Sequence, residues 1–303
     1  MPKSTASSKV FNNFLRTKKV LITGAAGSIG GALSRRIAEL KPKSLVILDQ
    51  DESGLFDVWE DVKVICKTHF VIANIRERER IQDIFSKYRP DTVYHCAAYK
   101  HVNLMEVWPR EAESTNVHGT KVVVDASIKS GVEKFIFVST DKAVNPASVM
   151  GKTKKEGERI CLGANAMKHT EFVVVRFGNV MASRGSVVPI FQKQIAEGKD
   201  LTITDPRMRR FFMGIYEAAE LILKATIVGK AGDIIVLDMG NPISIVELAK
   251  LMIKLSGKNL KLKFTKAGRG EKFFEGLMTD EEKKRAVKKD GLFIIRPRGG
   301  RTR

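Results

Sequence analysis

The stretch Val20-Leu21-Ile22-Thr23-Gly24-Ala25-Ala26-Gly27-Ser28-Ile29-Gly30 decides the fold of this 303-residue chain. A short apolar run leads directly into three glycines with the spacing G-x-x-G-x-x-G, and an amphipathic stretch over about 28–40 follows. Glycines here allow a tight turn and a close approach of the backbone to a pyrophosphate, whose charge the N-terminus of the next helix favours. The pattern predicts a strand, a dinucleotide-binding loop and a helix. The loop residues predicted to bind the cofactor are Gly24, Gly27, Ser28, Ile29 and Gly30.

Short apolar runs alternate with helix-length amphipathic stretches along the next 150 residues. The predicted strands lie at 20–22, 45–48, 70–72, 92–96, 135–138 and 172–175. Continuous apolar strands separated by helices indicate a parallel sheet that is buried on both faces. We therefore predict a doubly wound α/β Rossmann fold with a smaller C-terminal substrate-binding lobe. The predicted parts are a polar N-terminal arm (1–18), the NAD-binding domain (19–180), a region that is mainly the lobe (181–282) and a basic tail (283–303).

An acidic residue, Asp49, ends the second predicted strand. A carboxylate at this point accepts hydrogen bonds from the adenosine ribose hydroxyls and repels a 2′-phosphate, so we predict NAD, with NADP less favoured. Asn74 and Ile75 end the third strand, where an amide oxygen can accept a bond from the adenine amine. Ala97, Ala98 and Lys100 follow the fourth strand, and we assign them to the cofactor site as well.

A polar cluster, Thr140-Asp141-Lys142, lies just past the strand at 135–138, at the sheet edge where ligands bind in open α/β folds. Met150 and Lys154 are four residues apart on the predicted next helix and share one face. The G-x-x-G-x-x-G spacing is typical of short-chain dehydrogenase/reductase enzymes. In those enzymes a catalytic tyrosine normally lies four residues before the lysine, at the position of Met150. We therefore predict that the chemistry has moved to Asp141 and Lys142, with Thr140 and Lys154 completing the catalytic set. The alternative reading of Thr140 to Lys142 is a polar turn that Asp141 caps.

The composition limits the kinds of binding partner that we predict. Lys and Arg outnumber Asp and Glu by 53 to 34, a net charge of +19, which we interpret as a lysine-rich surface with a phosphate-bearing ligand. The basic run 296–303 contains no aromatic residue, so we predict no specific nucleic-acid partner. The three cysteines show neither metal-ligand spacing nor a disulfide framework, and we expect a cytoplasmic protein without a metal. No apolar run approaches the roughly 20 residues of a transmembrane helix.

Several long motifs occur in a fixed order. They are Val138-Ser139-Thr140-Asp141-Lys142-Ala143-Val144-Asn145-Pro146, Val149-Met150-Gly151-Lys152-Thr153-Lys154, His95-Cys96-Ala97-Ala98-Tyr99-Lys100-His101-Val102, Arg176-Phe177-Gly178-Asn179-Val180 and Asp238-Met239-Gly240. From about Lys19 to Met278 the sequence resembles the nucleotide-sugar 4,6-dehydratases of polysaccharide biosynthesis, in the extended short-chain dehydrogenase/reductase superfamily. Its Met-x-x-x-Lys form resembles the soluble catalytic part of the UDP-N-acetylglucosamine 4,6-dehydratases. Larger members of that group carry an N-terminal membrane region.

The resemblance implies a reaction in which NAD takes a hydride from C4 of the hexose and later returns it to C6. Between these steps a base removes the C5 proton, and an acid protonates the 6-hydroxyl so that water leaves. Lys142 is the implied base and Asp141 the implied acid. Thr140 would relay the 4-hydroxyl proton to Asp141, and Lys154 would hold the nicotinamide ribose.

The resemblance also implies a UDP-sugar site and a homo-oligomer, with helices around 107–130 and 150–162 forming a dimer contact. The implied substrate-binding residues are Lys100, Asn179, Val188, Pro189, Arg210, Arg269 and Glu271. In one place the sequence departs from the family pattern Gly-Leu-Arg-Pro-Gly-Glu-Lys. Here it reads Ala267-Gly268-Arg269-Gly270-Glu271-Lys272, without the proline and with the arginine one place closer to the glutamate.

Two other functions remain open from the sequence. The first is a UDP-hexose 4-epimerase, which relies on the Tyr-Lys pair that Met150 interrupts. The second is a non-catalytic basic Rossmann module that binds nucleic acid or an anionic membrane, which predicts binding that weakens steeply with salt. The second leaves the ordered motifs around Asp141 and Lys154 unexplained.

Overall fold

The computed structural model describes residues 5–167, 169–181, 183–266 and 268–297. Its strands are β1 (Lys19–Thr23), β2 (Ser44–Asp49), β3 (Thr68–Ile72), β4 (Thr92–His95), β5 (Lys134–Val138), β6 (Glu171–Arg176), β7 (Asn179–Val180), β8 (Leu201–Ile203), β9 (Arg209–Arg210), β10 (Phe212–Met213), β11 (Ile234–Leu237), β12 (Ile243–Ser244), β13 (Leu262–Phe264), β14 (Val287–Lys289) and β15 (Leu292–Ile295). Its α-helices are α1 (Thr5–Leu15), α2 (Ser28–Glu39), α3 (Glu52–Val62), α4 (Arg78–Tyr88), α5 (Val102–Val107), α6 (Pro109–Glu113), α7 (Thr120–Lys129), α8 (Val149–Ala164), α9 (Val187–Ala196), α10 (Ile215–Val228), α11 (Ile245–Ser256) and α12 (Asp280–Arg285).

A nine-stranded sheet forms the centre of the described structure, in the order β14-β15-β11-β6-β5-β4-β1-β2-β3. The strands from β11 to β3 run parallel to one another, whereas β15 is antiparallel to β11 and β14 is antiparallel to β15. The order β3-β2-β1-β4-β5-β6 is that of a doubly wound dinucleotide-binding fold. The predicted fold class is therefore confirmed.

The central strands of the sheet are buried on both faces, as their continuous apolar runs predict, whereas Phe70 and Ile72 of the edge strand β3 are about half exposed. Val20 and Ile22 belong to one apolar cluster, with α1, α2 and α10, and Leu21 between them belongs to the other, with α4, α7 and α8. This alternation follows from the two-residue period of a strand. Because each side of the sheet is covered, the carboxyl ends of the parallel strands form the exposed edge at which polar residues can gather.

The N-terminal arm is not polar throughout. Thr5–Leu15 forms helix α1, in which Phe11 is 2% exposed and Leu15 is 1% exposed. Phe11, Phe14 and Leu15 follow the i, i+3, i+4 spacing of one helical face, and the helix packs against α10. The predicted arm is therefore wrong for this stretch, because three apolar residues at that spacing are enough to dock a short helix. Residues 1–4 lie outside the described part.

The basic tail is also mostly structured. Strands β14 and β15 form a hairpin at the edge of the main sheet, joined at Asp290 and Gly291, whose φ angles are 51° and 82°. Positive φ at both central residues is the signature of a tight two-residue hairpin, for which Asp-Gly is a strong sequence signal. Leu292, Ile294 and Ile295 in β15 are buried, so the tail interpretation does not describe β15. Residues 298–303 lie outside the described part.

Part of the region 181–282 belongs to the dinucleotide-binding body, and part forms the lobe. Strand β11 pairs with β6 in the main sheet, and α10 packs on α2, so both belong to the dinucleotide-binding body. The lobe proper is built on α9, α11 and the β8–β13 pair around a small apolar cluster that includes Phe191 and Ile203. Within the described residues, no helix has both the length and the apolar character needed to cross a bilayer.

Candidate active site

The glycine loop after β1 brings the backbone into unusually close contact. Gly24 has φ of +70°, and a Cβ atom there would lie 2.5 Å from the amide nitrogen of Ala97. A Cβ on Gly30 would lie 2.1 Å from the carbonyl oxygen of Gly24. Helix α2 begins directly after Gly27, so its first amides face the loop. The loop therefore has the backbone shape and the helix N-terminus that bind a pyrophosphate.

A cavity of about 210 Å³ lies between the loop and the ends of β2, β3 and β4. Asp49 is fixed there, because its carboxylate accepts bonds from the amides of Ala26 (2.9 Å) and Asp51 (3.0 Å). The Oδ1 atom of Asn74 already accepts from the backbone nitrogen and Nε of Arg76. The predicted cofactor residues that line this cavity are Gly24, Gly27, Asp49, Asn74, Ile75, Ala97 and Ala98.

A second cavity of about 650 Å³ also adjoins the loop and shares Gly24 and Gly27 with the first. It joins the glycine loop to the ends of β4, β5 and β6, and so unites most of the predicted reaction centre with part of the cofactor site. The predicted residues that line it are Gly24, Gly27, Ser28, Ile29, Gly30, Ala98, Lys100, Thr140, Lys142, Lys154 and Asn179, together with Met150.

Thr140, Asp141 and Lys142 form one hydrogen-bonded unit just beyond β5. The Thr140 hydroxyl donates to Oδ1 of Asp141 (2.9 Å), and Nζ of Lys142 donates to the same oxygen (3.1 Å). Lys142 Nζ also donates to Oδ1 of Asn179 (3.3 Å), which extends the unit to β7. Asp141 is fully buried, whereas the Lys142 side chain keeps 19% exposure towards the cavity. An amine and a carboxylate are thus held together at the sheet edge.

Lys154 lies on α8, one turn after Met150. Its Nζ donates to the carbonyl oxygen of Val138 (2.7 Å) and stands 4.0 Å from the centre of the Phe137 ring. Burial lowers the pKa of Lys154 to about 8, partly opposed by Cys161, Glu158 and Cys96. Met150 is buried in a small cluster with Met105 and Ala112, so its described contacts are those of a packing residue.

The lowered pKa of Lys154 predicts a pH-dependent stability. Below about pH 8 the amine is protonated in both the folded and the unfolded chain, and the folded chain bears the full cost of burying its charge. Between about 8 and 10.5 the folded chain releases its proton first, and the cost falls. We expect the free energy of unfolding of the wild type to rise relative to that of Lys154→Met over this interval. Urea unfolding of both proteins at neutral pH and near the upper limit measures it, and a pH-independent difference would contradict it.

Two buried polar groups that the sequence analysis left unassigned hold the walls of the cavities. Asn116 accepts from the amide of Tyr99 (2.8 Å) and donates to the carbonyl of Tyr99 (3.0 Å), and so fixes the segment that carries Lys100. Asn116 lies in a π-helical turn, Ser114–Gly119, that links α6 to α7 within the helical region predicted around 107–130. His95 bonds to the hydroxyls of Thr23 (2.7 Å) and Thr120 (3.0 Å) beneath the loop. Burial lowers the pKa of His95 to about 3, which keeps its ring neutral.

The segment before α9 reaches across the glycine loop. The amide of Arg184 donates to the hydroxyl of Ser28 (3.1 Å), and its guanidinium contacts Asp51 (3.2 Å). Arg184 also lines both cavities. The contact is made by the run Ser183-Arg184-Gly185-Ser186, directly before Val187. This run has no periodic pattern, so no signal in the sequence reveals the contact.

The remaining predicted substrate residues lie in the lobe. Arg210 is buried, and its guanidinium donates to the carbonyls of Phe273 (3.0 Å) and Lys272 (2.8 Å) and stands 3.9 Å from Glu271. Arg269 is exposed in the turn before Glu271. Val188 and Pro189 lie in the first turn of α9, next to the cavity residue Val187. The structure thus joins Arg210 to the segment of Glu271, and it places Asn179 and Lys100 at the larger cavity.

A family model described as polysaccharide biosynthesis protein matches residues 20–297. The chain belongs to this polysaccharide biosynthesis family. It is 43% identical over 285 residues to the probable polysaccharide biosynthesis protein EpsC of Bacillus subtilis, covering 92% of this chain and 48% of that protein. It is 41% identical over 276 residues to the capsular polysaccharide biosynthesis protein CapD of Staphylococcus aureus, covering 88% and 46%. The chain therefore spans about half the length of these two relatives.

With other similar proteins, the matched region covers most of this chain and most of the other protein. The chain is 38% identical to a protein named UDP-glucose 4-epimerase from Rickettsia typhi, over 94% of this chain and 84% of that one. Among solved structures it resembles Pen from Bacillus thuringiensis, with 36% identity, a TM-score of 0.89 and coverage of 94% and 91%. The dTDP-glucose 4,6-dehydratase DesIV of Streptomyces venezuelae, with NAD bound, shares the fold at 19% identity, with a TM-score of 0.77 and coverage of 88% and 90%.

Proposed function

We propose that the protein catalyses the NAD-dependent dehydration of a UDP-hexose, with UDP-N-acetylglucosamine as the proposed substrate, to the UDP-4-keto-6-deoxy sugar. The observation that carries this proposal is the hydrogen-bonded unit of Thr140, Asp141 and Lys142, which opens on the same cavity as Lys154 and the glycine loop. Elimination of water needs an acid and a base beside one sugar ring. An adjacent carboxyl and amine at the sheet edge supply that pair.

The residues take separate roles in this scheme. Lys142 accepts the C5 proton, and Asp141 donates a proton to the departing 6-hydroxyl. Thr140 passes the proton of the 4-hydroxyl to Asp141, with which it already shares a bond of 2.9 Å. When bound, NAD supplies the hydride acceptor that oxidises C4 and later returns the hydride. Lys154 orients the nicotinamide ribose from its position on the cavity wall.

The cofactor proposal rests on the fit of the glycine loop and Asp49. A side chain on Gly24 or Gly30 would fill the space between the loop and its neighbours, and Asp49 holds a carboxylate at the end of β2. We propose NAD rather than NADP, because the carboxylate repels a 2′-phosphate.

Titration calorimetry with both dinucleotides tests this preference. We expect tighter binding of NAD to the wild type, and a preference that is reduced in Asp49→Ser, because this variant no longer repels the phosphate. Arg184 is the nearby cation that could accept a 2′-phosphate, so Arg184→Ala serves as the comparison variant. Equal affinity of the wild type for NAD and NADP would contradict the proposal.

The UDP moiety is proposed to lie between the larger cavity and the lobe. In this proposal Asn179 and Lys100 contact the sugar or diphosphate, Arg210 and Arg269 meet the phosphates, and Glu271 meets the uridine ribose. Val188 and Pro189, at the start of α9, meet the uracil. We further propose a homo-oligomer that contacts through the helical stretch from α6 to α7 and through α8. Light scattering of the purified protein tests this proposal directly.

Incubation with UDP-N-acetylglucosamine distinguishes the candidate reactions. A product lighter by one water supports the dehydratase. Formation of UDP-N-acetylgalactosamine alone supports a 4-epimerase, the activity named for the Rickettsia typhi relative. The buried Met150, at the position of the usual tyrosine, argues against that second reaction. If neither product forms and the protein instead binds nucleic acid with a steep salt dependence, the non-catalytic alternative is favoured.

A further inference from the structure

Lys272, in the C-terminal region, makes contacts that none of the roles assigned above explains. Its Nζ atom donates to the carbonyl oxygen of Val144 (3.1 Å) and to that of Asn145. The Glu275 carboxylate stands 3.8 Å from the same nitrogen, at an ion-pair distance. A cationic donor makes stronger hydrogen bonds than a neutral one, and the Lys272 side chain is only 27% exposed, so water competes little for these bonds.

The turn that Lys272 contacts also carries the proposed acid and base. Asp141–Ala143 forms a short 3-10 helix, which the amide of Val144 closes by donating to the carbonyl of Asp141 (3.0 Å). Asn145 follows with φ of 45°, in the left-handed region that residues other than glycine occupy infrequently. We call residues 140–145 the catalytic turn. Because Lys272 bonds the last two carbonyls of this turn, it restrains the backbone from which the acid and the base project.

A second contact joins the same two segments of the chain. The backbone of Gly270 is so close to Ser148 that a Cβ atom at 270 would lie 2.8 Å from the Ser148 Cβ. Ser148 caps α8, the helix of Lys154, by accepting a bond from the amide of Gly151 (3.1 Å). A Cβ atom on Gly151 would in turn lie 2.3 Å from the carbonyl oxygen of Lys142. The start of α8 therefore packs between the segment of Gly270 and the catalytic turn.

The backbone of Lys272 is bonded to residues proposed to bind the nucleotide. We call residues 270–275 the uridine segment. Arg210, proposed to meet the phosphates, donates to the main-chain carbonyls of Lys272 (2.8 Å) and Phe273 (3.0 Å). Glu271, proposed to meet the uridine ribose, precedes Lys272, and its carboxylate stands 3.9 Å from the Arg210 guanidinium. Lys272 thus has its backbone in the proposed nucleotide site and its side chain on the catalytic turn.

We propose that Lys272 is a positioning residue through which the nucleotide part of the substrate holds the catalytic turn in place. The inference rests on the proposed dehydratase function and deepens it, because it gives the binding of UDP a use besides affinity. A part of a substrate that does not react can contribute its binding energy to the placement of the reacting groups, and its effect then appears in turnover. When UDP occupies its proposed site, it restrains the uridine segment, and Lys272 passes this restraint to the backbone that carries the acid and the base.

The variant Lys272→Met tests this role, because it keeps an unbranched side chain and removes the three N–H donors. We expect kcat for UDP-N-acetylglucosamine to fall by about 10- to 100-fold, the effect of a small displacement of reacting groups. KM, and the affinity for UDP measured by calorimetry, should stay within about threefold of the wild type, because the contacts of Lys272 with the nucleotide site are made by its backbone.

Hydrogen exchange measures the restraint itself. In the wild type we expect UDP alone to slow the exchange of amides in the catalytic turn, and we expect this protection to be lost in Lys272→Met. The sugar is absent from this measurement, so its result does not depend on turnover. The comparison of the wild type with and without UDP needs no variant, and it therefore tests the inference even if Lys272→Met does not fold.

Lys258→Met is the matched control. Lys258 follows α11 in the lobe and also donates to two main-chain carbonyls, those of Ile195 and Ala196 (3.3 Å), at the end of α9. Neither Lys258 nor these two residues line either cavity. The control variant should lose stability to unfolding, with no change in kcat or in the protection of the catalytic turn by UDP.

The outcomes separate the inference from the function on which it rests. A wild type in which UDP protects the catalytic turn, but which dehydrates no UDP-hexose, removes the proposed function and leaves the link through Lys272 in place. A wild type that dehydrates, but whose catalytic turn exchanges at the same rate with and without UDP, overturns the inference. A kcat of Lys272→Met equal to that of the wild type also overturns it. So does a loss of UDP affinity that accounts for the whole loss of kcat/KM, because Lys272 would then act in binding alone.

Discussion

Replacement of Lys142 by alanine is expected to lower the dehydration of UDP-N-acetylglucosamine by about 10²- to 10⁴-fold, the usual contribution of a general base. Binding of NAD should persist, because the glycine loop and Asp49 are held by contacts that do not involve Lys142. The loss should appear in kcat rather than in KM, since proton transfer occurs after the substrate is bound. Mass spectrometry of the nucleotide sugar measures turnover, and calorimetry measures cofactor affinity.

A second variant separates the base role from the charge of Lys142. Alanine leaves the buried Asp141 without its cation, and that alone can destabilise the site. Lys142→Arg keeps a positive charge beside Asp141 but cannot lose a proton at working pH, so it should be nearly as inactive. Lys152→Ala, an exposed lysine on α8, is the control and should keep wild-type turnover. Turnover of Lys142→Arg within about tenfold of the wild type would remove Lys142 from the base role.

Gly30→Ala is expected to impair cofactor binding strongly. The new Cβ atom would lie 2.1 Å from the carbonyl oxygen of Gly24 and 2.9 Å from the Cα of Ala25, both of them backbone atoms of the same loop. The loop must shift to relieve this contact, at a cost of about 1–3 kcal/mol. If that cost falls on the bound state, the affinity for NAD decreases by roughly 5- to 150-fold.

Gly163→Ala provides the matched comparison. Gly163 is also helical, in the last turn of α8, but nothing lies within 4 Å of the position of an added Cβ. Alanine there should leave the affinity for NAD unchanged and raise the free energy of unfolding by about 0.5–1 kcal/mol, because glycine is the weaker helix former. NAD affinities that are equal in the two variants would show that the loop tolerates a side chain and that the close contact has no functional role.

Local patterns predicted the elements with regular periods. Helix α2 begins at Ser28, where the sequence predicts, and β1, β2 and β6 contain the predicted runs 20–22, 45–48 and 172–175. These signals depend on residues that are only a few positions apart, so they can be recognised without knowledge of the fold. The placement of Thr140 to Lys142 was predictable for a related reason, because a parallel sheet brings the carboxyl ends of its strands to one edge.

Contacts between distant segments were not predictable in the same way. Helix α1 is stabilised by Phe11 and Leu15 only because α10 offers an apolar surface to cover. The hairpin of β14 and β15 was missed although Asp290-Gly291 is a strong turn signal, since the lysines around it suggested a solvated tail. The sequence did not reveal that the guanidinium of Arg210 donates to the backbone carbonyls of Phe273 and Lys272, next to Glu271.

The sequence by itself determined the dinucleotide-binding fold, the glycine loop and the neighbouring acid and amine, because each depends on short spacing along the chain. The tertiary structure alone decided which distant groups share one environment. It placed the Nζ atom of Lys142 within hydrogen-bond distance of Asn179, and it desolvated Lys154 against Phe137. Ionisation depends on burial and on neighbouring charges in space, and neither quantity is encoded in the order of residues over a short stretch.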